Sequence, residues 1–435
     1  MRFLEKHSIL LDAASAMGLK VIPFDVHGER GHTHWYLRET HLGQADLGGC
    51  KTPYNLNPDE RKSPEALIRD IFTNNTNVSS IKYPDEMYTL TTNDDVPVYK
   101  MSQSDFYSRY ATMEAFRYLQ GTMYWCIDEQ RTPLFGLKFA NEPPSSVKTI
   151  QGGMGKLPTT LMDRFLQTSK SHSLRLNHQL VRMERRQAGG YNLRFRKTQT
   201  NDGVTTPVTT DGNEVTICAR RVILAIPKNC LAKVDFPTFR NSPVIMDCIN
   251  SVFDYPAGKI FLAYPYKWWK AVYPDSGTAN SDLPPRYTLD WFTGDNGVAV
   301  ILASYHIGET TRYWRELSQF GKPIPGSLPG ANAVTDVVKD RVEKYLSLIY
   351  DVSQSDIPEA LGGGMMLWDS YPYEAAFHCI KPGFRDDEVA EMMMKPSPSD
   401  DVYVVSNSWV EGDLGYWAEG TLHTVDRVLA KYFNV

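Results

Sequence analysis

The sequence predicts a mixed α/β fold in which a block of helices is inserted into a framework of strands. Two observations support this fold class: segments with helical periodicity alternate with short apolar strands, and no repeat or low-complexity tract interrupts them. The chain has 435 residues, of which 42% are hydrophobic and 12% aromatic, so it can bury more than one core. We therefore expect two or three domains built from pieces that are discontinuous in sequence.

The first part of the chain reads mainly as helix. Residues 3–18 carry apolar side chains at helical spacing and end at a glycine, and a short strand is expected at 21–24. Residues 63–65, Ser-Pro-Glu, form a helix start with an N-cap, a proline at the first helical position and an early acid. From there the pattern is helical up to an aromatic stretch at 118–125.

Beyond residue 149 the pattern changes from helices to strands. The expected strands, in chain order, are 174–183, 191–195, 215–218, 222–226, 259–264 and 298–304. An amphipathic helix is expected at 335–350, where apolar residues recur every three or four positions.

The segment from Asp401 to Phe433 carries the clearest functional signal. An alternating strand runs into a glycine-containing turn, and Trp417-Ala418-Glu419-Gly420 opens an amphipathic helix. Free N–H groups and the positive end of the helix dipole suit an electron-rich ligand edge, and a neighbouring tryptophan suits a flat organic group. The segment therefore predicts a binding site at the start of the last helix.

Composition and charge exclude several function classes. A net charge of -5 and a pI near 6.1 give no electrostatic footprint for nucleic acid. No apolar run reaches the roughly 20 residues that span a bilayer, and the first residues lack a secretory signal, so a cytoplasmic protein is expected. Six scattered cysteines and the pair His32 and His34 indicate neither a disulfide framework nor a metal site, and no nucleophile triad is evident.

The order of strand, turn, Trp-x-Glu-Gly and helix resembles the C-terminal flavin-binding segment of the FAD-dependent amine oxidases. The resemblance implies FAD as cofactor, with the start of the last helix facing the flavin pyrimidine ring. It assigns Trp417 and Glu419 to cofactor binding. Ser406 and Asn407, in the sequence Ser-Asn-Ser, stand where the family has Gly-Glu, and they are assigned to the cofactor as well.

Two further segments resemble the family in the expected order. Residues 150–158, IQGGMGKLP, are similar to its GGM-x-x-LP step into a helix, which assigns Gly152 and Met154 to cofactor binding. Residues 219–227, ARRVILAIP, are similar to a strand of its FAD domain. Between them, Leu180 falls where a backbone amide usually contacts the adenine.

The resemblance also implies a catalytic lysine and a carboxylate-binding arginine. The start of the chain is similar to the Met-Arg step of L-amino-acid oxidases, where Arg2 falls on the arginine that pairs with the substrate carboxylate. A planar guanidinium can grip a carboxylate through two parallel hydrogen bonds. Lys259 falls on the family lysine that holds a water at flavin N5, and a lysine in an apolar strand is costly to bury without a function.

Residues 296–305 and 368–377 resemble the bacterial tryptophan, phenylalanine and lysine oxidases and monooxygenases. By this match Tyr305 hydrogen-bonds the substrate carboxylate alongside the arginine, although Ser304 competes for the place. Trp368 and Tyr373 fall in the cofactor-binding part. Trp417 would also form one wall of an aromatic slot for the substrate amine.

One family feature is missing from the sequence. No Gly-x-Gly-x-x-Gly fingerprint occurs, and the chain begins at the Met-Arg step that follows the nucleotide-binding βαβ unit in the family. By comparison roughly 60 residues that hold the ADP half of FAD are lacking. Three explanations remain open: a separate small subunit completes the site, the chain is one piece of a longer precursor, or it no longer binds FAD. We expect a partner chain and a hetero-oligomer, because a parallel sheet without its middle strand exposes unpaired edges.

The resemblance implies an amine-oxidase-like fold with an incomplete Rossmann-type FAD domain. The expected domains are a substrate-binding domain (1–45 and 253–392), a helical domain (46–146) and an FAD-binding domain (147–252 and 393–435). The expected function is the FAD-dependent oxidation of an L-amino acid to its imino acid with O2, as an oxidase or an oxidative-decarboxylating monooxygenase. An amine or polyamine oxidase and a non-catalytic subunit that has lost FAD are the alternatives.

Overall fold

The structure, a computed structural model, describes residues 2–24, 32–82, 84–142, 145–210, 212–372, 374–375, 377–412 and 418–434. Its helices are α1 (Ser8–Ala16), α2 (Pro64–Asn75), α3 (Gln103–Tyr110), α4 (Met113–Thr122), α5 (Pro133–Asn141), α6 (Lys156–Thr168), α7 (Lys228–Lys233), α8 (Pro237–Arg240), α9 (Pro243–Ile249), α10 (Glu309–Leu317), α11 (Asp336–Ile349), α12 (Asp386–Met394) and α13 (Ala418–Phe433). Its strands are β1 (Phe3–Leu4), β2 (Val21–Pro23), β3 (His32–Leu37), β4 (Thr40–Gly43), β5 (Val147–Ile150), β6 (His178–Arg185), β7 (Tyr191–Asn201), β8 (Val204–Pro207), β9 (Glu214–Ala219), β10 (Val222–Leu224), β11 (Val252–Tyr255), β12 (Ala257–Tyr264), β13 (Ser276–Ser281), β14 (Tyr287–Thr293), β15 (Ala299–Ile307), β16 (Gly362–Leu367), β17 (Phe377–Ile380) and β18 (Val402–Val404).

The largest sheet has seven strands in the order β16-β12-β15-β14-β13-β3-β4. Neighbouring strands run antiparallel, except β13 and β3, which are parallel. One face carries a buried core in which Ile260 and Ile301 from the sheet join Trp314 and Leu346 from α10 and α11. Because side chains alternate along a strand, Lys259 points to the other face.

Helices α2 to α5 form a layer whose apolar core also takes residues from β3 and β4. Phe72, Phe106 and Phe116 are buried in this core, and the ring centroids of Phe72 and Phe106 lie 4.7 Å apart. The expected helix start at residues 63–65 is confirmed, because the Ser63 side chain accepts a hydrogen bond from the Ala66 amide. Within the described ranges, no helix combines the length and the apolar character needed to cross a membrane.

A third region combines an antiparallel sheet with a short parallel pair. Strand β7 pairs with β6, β8 and β9, while β10 pairs with β18 in parallel, so that Val222 faces Val402 and Leu224 faces Val404. Strands β6, β7, β10 and β18 share a core with α9 and α12. Among the residues that the structure describes, no third strand joins the parallel pair. The domain boundaries given above stay a prediction.

The structure corrects the sequence interpretation at the start of the chain. Residues 3–18 were expected to form one helix, but Phe3 and Leu4 form β1, paired with Lys148 and Val147 of β5, and the helix begins only at Ser8. Backbone pairing with a distant strand overrides the local helical pattern here. The strand expected at 174–183 likewise begins only at residue 178.

A single carboxylate joins the two ends of the chain. Glu419, in the first turn of α13, is 2% exposed, and its two oxygens accept hydrogen bonds from the amides of Ile9 (3.0 Å) and Leu10 (2.8 Å). These amides belong to the first turn of α1, where backbone N–H groups lack helical partners and the helix dipole favours a negative charge. Glu419 therefore caps α1 from a distance of about 410 residues along the chain.

We predict that Glu419→Gln lowers the free energy of unfolding by about 1–2 kcal/mol, because an amide removes the charge and one of the two acceptors at the α1 amides. Urea denaturation measures the change. Glu359→Gln is the matched control, since Glu359 is exposed and forms an exposed ion pair with Lys339; it should cost less than about 0.5 kcal/mol. Equal effects of the two variants would show that the cap contributes nothing specific.

Candidate active site

The register of three neighbouring strands sets one row of side chains across the large sheet. Tyr287 of β14 pairs with Tyr305 of β15, and Tyr305 pairs with Lys259 of β12. Residues that face each other across strands project to the same side. The row lies on the face opposite the α10 and α11 core.

Aromatic rings surround the ammonium group of Lys259. Its Nζ lies 4.3 Å from the ring centroid of Tyr305, 5.6 Å from that of Trp368 and 5.7 Å from that of Trp291. No carboxylate among the described residues pairs with it, unlike most buried lysines. Burial, followed by the positive charge of Arg2, lowers the pKa of Lys259 from 10.5 to about 8.

Arg2 lies at the same site, immediately before β1. Its Nη2 donates a hydrogen bond to the Tyr287 hydroxyl (3.3 Å), and its guanidinium lies 5.6 Å from the centroid of that ring. Burial raises the pKa of Tyr305, and the charge of Arg2 opposes this shift. The structure thus brings Arg2, Lys259 and Tyr305 together, as the resemblance implies, although their roles stay a prediction.

Ser304 and Tyr305, the two candidates for the same place beside the substrate carboxylate, lie on opposite faces of β15. The Ser304 hydroxyl lies on the core side of β15, where it bonds the carbonyl oxygen of Pro285 (3.1 Å) and Nδ1 of His306 (2.9 Å). Tyr305 occupies the opposite face with Lys259. The alternation of the strand therefore leaves only Tyr305 beside Arg2 and Lys259.

Several aromatic residues of the site were not singled out from the sequence. Trp125, from the segment after α4, lies 4.3 Å from Tyr305 between ring centroids, and the Tyr124 hydroxyl donates to the Tyr305 carbonyl (2.7 Å). Tyr287 and Trp291 come from β14. Tyr287 and Trp291 are four residues apart on one face of the strand, and this spacing could have indicated them from the sequence.

The predicted residues of the C-terminal segment are only partly described. Ser406 is buried directly after β18, and its hydroxyl donates to the Ser408 hydroxyl (3.1 Å). Asn407 lies between them. Trp417 and Tyr373 fall outside the described residues. Glu419 is used in the cap on α1, so both of its carboxylate oxygens already have protein donors.

The remaining predicted cofactor residues belong to other elements than the three strands of the lysine row. Gly152 and the next glycine, Gly153, adopt positive φ angles of 84° and 104°, which favour glycine, in the turn before α6. Met154 packs beside the buried cluster that contains Phe3. Leu180 is a half-buried residue of β6 that pairs with Phe195 of β7.

The residues at the Lys259 site fit a planar aromatic cofactor. Three rings and an unpaired ammonium group form a half-buried surface that suits a flat group with hydrogen-bond acceptors at its edge. Apart from this site, in the turn before α6, a Cβ atom at Gly153 would meet nothing within 4 Å, so the backbone there is open to close approach. Arg2 could hold an anionic group next to this surface. Among the described residues, no cluster of side chains could hold a metal ion.

Known proteins are similar to this chain in sequence. The sequence profile of the flavin-containing amine oxidoreductases matches residues 102–423. Achacin of Lissachatina fulica is 30% identical over 93% of this chain and 77% of its own length. Aplysianin-A of Aplysia kurodai is 28% identical over 98% of this chain and 79% of its own length.

Solved structures of amine oxidases share the fold at low sequence identity. Putrescine oxidase bound to putrescine superposes with a TM-score of 0.67 at 13% identity, covering 100% of this chain and 87% of its own. Cyclohexylamine oxidase from Brevibacterium oxydans gives a TM-score of 0.66 at 13% identity, with 99% and 86% coverage. The amine-oxidase-like fold and the FAD cofactor predicted from the sequence are therefore confirmed. The chain belongs to the flavin-containing amine oxidoreductase family and is an FAD-dependent oxidoreductase.

Proposed function

We propose that the protein oxidises an L-amino acid to its imino acid, with O2 as the final electron acceptor. The observation that carries the proposal is that Arg2 and Lys259 lie at one aromatic site where no described carboxylate neutralises either cation. When bound, the flavin supplies the acceptor for the hydride that leaves the substrate α-carbon. The choice between an oxidase and a decarboxylating monooxygenase stays open.

Arg2 is suited to bind and orient the substrate carboxylate. Its guanidinium is held by the Tyr287 hydroxyl at one nitrogen, which leaves its other N–H groups for a carboxylate. The neighbouring Tyr305 hydroxyl offers a further donor. A carboxylate fixed at two or three points places the α-carbon in one orientation, which is the main contribution of the protein to such a reaction.

Lys259 is suited to hold a water molecule or a proton at its Nζ atom. With a pKa near 8, part of the population is neutral at slightly alkaline pH, and neutral Nζ can accept as well as donate a hydrogen bond. The rings of Tyr305, Trp291 and Trp368 exclude bulk water from around it. Lys259 can therefore orient water beside the substrate without a competing ion pair.

The runner-up function is the oxidation of simple amines or polyamines. The solved relatives with this fold include putrescine oxidase and cyclohexylamine oxidase, but identities near 13% carry the fold alone. Arg2 distinguishes the two functions. A substrate without a carboxylate would leave its charge without a counter-ion, which is unfavourable in a partly buried site.

We predict that Arg2→Ala lowers kcat/KM for L-amino acids about 100-fold, because losing a buried charge pair costs on the order of 3 kcal/mol. Activity on the corresponding decarboxylated amines should change less than about threefold, since these substrates lack the group that Arg2 binds. Oxidation rates of a flavin-loaded preparation, measured with both substrate classes, give the comparison.

Arg2→Lys is the matched control, because it keeps the charge but not the two-point geometry, and it should retain part of the amino-acid activity. If Arg2→Ala leaves amino-acid oxidation intact, the proposed carboxylate site is wrong. If the wild type prefers amines over amino acids, the runner-up function is favoured.

We predict that Lys259→Met raises the free energy of unfolding at pH 7, because it removes an ammonium group that the fold holds without a counter-ion. The folded-state pKa of about 8 lies below the ordinary 10.5, so the unfolded chain holds more protons between these values, and wild-type stability rises with pH across this window. The advantage of Lys259→Met should therefore shrink at pH 10.

Urea denaturation of both proteins at pH 7 and pH 10 measures this difference. Lys20→Met is the matched control, because Lys20 is exposed, and its stability should follow the wild type at both pH values. A pH-independent difference between Lys259→Met and the wild type would contradict the assignment of a buried, unpaired charge.

We further propose that a nucleotide-binding unit, from a partner chain or a further segment, completes the FAD site. Exposed apolar side chains near the expected place support this: Phe165 on α6 is 50% exposed, Leu176 in the following loop 68% and Ile223 on β10 43%. Strands of parallel sheets are normally covered on both faces. A hetero-oligomer in the cytoplasm is part of the same proposal, and the six free cysteines are compatible with a reducing compartment.

We predict that the purified chain gains a flavin absorbance band when the completing unit is supplied, for example by co-expression with the product of a neighbouring gene or by extending the reading frame upstream. The same unit should raise the thermal stability, because it covers apolar surface. Absorbance and thermal unfolding of the purified protein are the measurements.

A Gly-x-Gly-x-x-Gly segment in the upstream genomic sequence would identify the unit. A protein that never carries flavin under these conditions would favour the alternative function, a non-catalytic subunit that has kept the fold.

A further inference from the structure

A cavity separate from the Lys259 site lies between α5, the start of α12 and the residues that follow β18. Its volume is about 310 Å³, and its walls include Met87, Leu134 and Phe135 on one side and Asp386 and Gly412 on the other. None of the residues that line it belongs to the row of Tyr287, Tyr305 and Lys259. The proposed oxidation does not account for this cavity.

Asp386, the first residue of α12, is the most unusual residue of the cavity wall. It is 9% exposed, and its Oδ2 accepts a hydrogen bond from the Gly412 amide (3.2 Å). Among the described residues, its Oδ1 is buried without a hydrogen-bond donor. Because a buried carboxylate oxygen without a donor is unfavourable, this group is prepared to accept a hydrogen bond from a ligand.

The other carboxylates at the cavity already have cationic partners. They form ion pairs between Asp387 and Arg385 (2.6 Å), between Glu411 and Arg427 (2.6 Å) and between Asp85 and Lys82 (2.5 Å). The one lysine in the wall, Lys138, donates to the Gly412 carbonyl (3.0 Å). Burial raises the pKa of Asp386, and a hydrogen bond with the Tyr88 side chain, the Gly412 amide and, least, the charge of Lys138 only partly oppose this shift. A cationic group in the cavity would stabilise the Asp386 carboxylate further.

The apolar residues of the cavity wall indicate which kind of cation the cavity suits. Met87, Leu134 and Phe135 present carbon and sulfur atoms, which suit an alkyl chain. A metal ion fits poorly, because no group of three potential ligand side chains among the described residues could hold one. We propose that this cavity binds an organic cation, a primary alkylammonium whose charge lies against Asp386 and whose carbon chain lies against the apolar wall.

Calorimetric titration of the full chain with pentylamine tests the proposal, with 1-pentanol as the uncharged probe. The wild type should bind pentylamine and not 1-pentanol, and Asp386→Asn should weaken pentylamine binding at least about tenfold, because the amide removes the charge. Asp387→Asn is the matched control: Asp387 also lines the cavity, but it is paired with Arg385, so binding should change less than about twofold.

Circular dichroism would detect misfolding of Asp386→Asn. A second variant tests the cavity independently of that substitution. Met87→Trp keeps Asp386 but fills the cavity, and it should abolish pentylamine binding as well. Equal affinity of pentylamine for the wild type and Asp386→Asn would place the amine elsewhere, for instance at the Lys259 site, and overturn the proposal. Failure of the wild type to bind pentylamine, or equal binding of 1-pentanol, would overturn it too.

Discussion

The contact between the Glu419 carboxylate and the first turn of α1 determines where the two ends of the chain lie. The carboxylate neutralises the positive end of the α1 dipole and gives its free amides an acceptor. Strand β1 precedes α1, and Arg2 immediately precedes β1. This contact therefore also helps to fix the position of Arg2. A residue near the end of the chain thereby helps to position the cation that we propose binds the substrate.

The second constraint is the register of the large sheet. Lys259, Tyr305 and Tyr287 lie on three different strands, and a shift of one residue in either strand pair would turn one of them into the core. The core on the opposite face, with Trp314 and Leu346, makes such a shift costly, because it would bury polar groups among apolar side chains. The packing of one face therefore determines the chemistry of the other.

Much of this arrangement could be predicted from the sequence, but only where local signals were strong. The start of α2 at Pro64 followed from its capping residues, and the helix α13 followed from the glycine-containing turn and the apolar spacing after it. The strand β13, with the sequence SGTANS, has no apolar alternation and was not expected. It forms because two neighbouring strands satisfy its backbone and because its polar side chains bond within the core: the Ser276 hydroxyl donates to the Thr278 carbonyl (2.7 Å) and also bonds Nδ1 of His34 (2.8 Å). Such pairing depends on distant residues, which no local pattern shows.

The electrostatics of the site argue for an anionic ligand. Arg2 and Lys259 are like charges near each other in a partly buried aromatic setting, and the charge of Arg2 makes the charged form of Lys259 less stable. A fold selected for stability alone would place a carboxylate between them, or it would have an apolar residue in place of Lys259. Most other residues of β12 are apolar. No carboxylate among the described residues relieves this repulsion, and a negative group that arrives from outside would do so. A substrate that carries its own carboxylate would supply that group, while a simple amine would not.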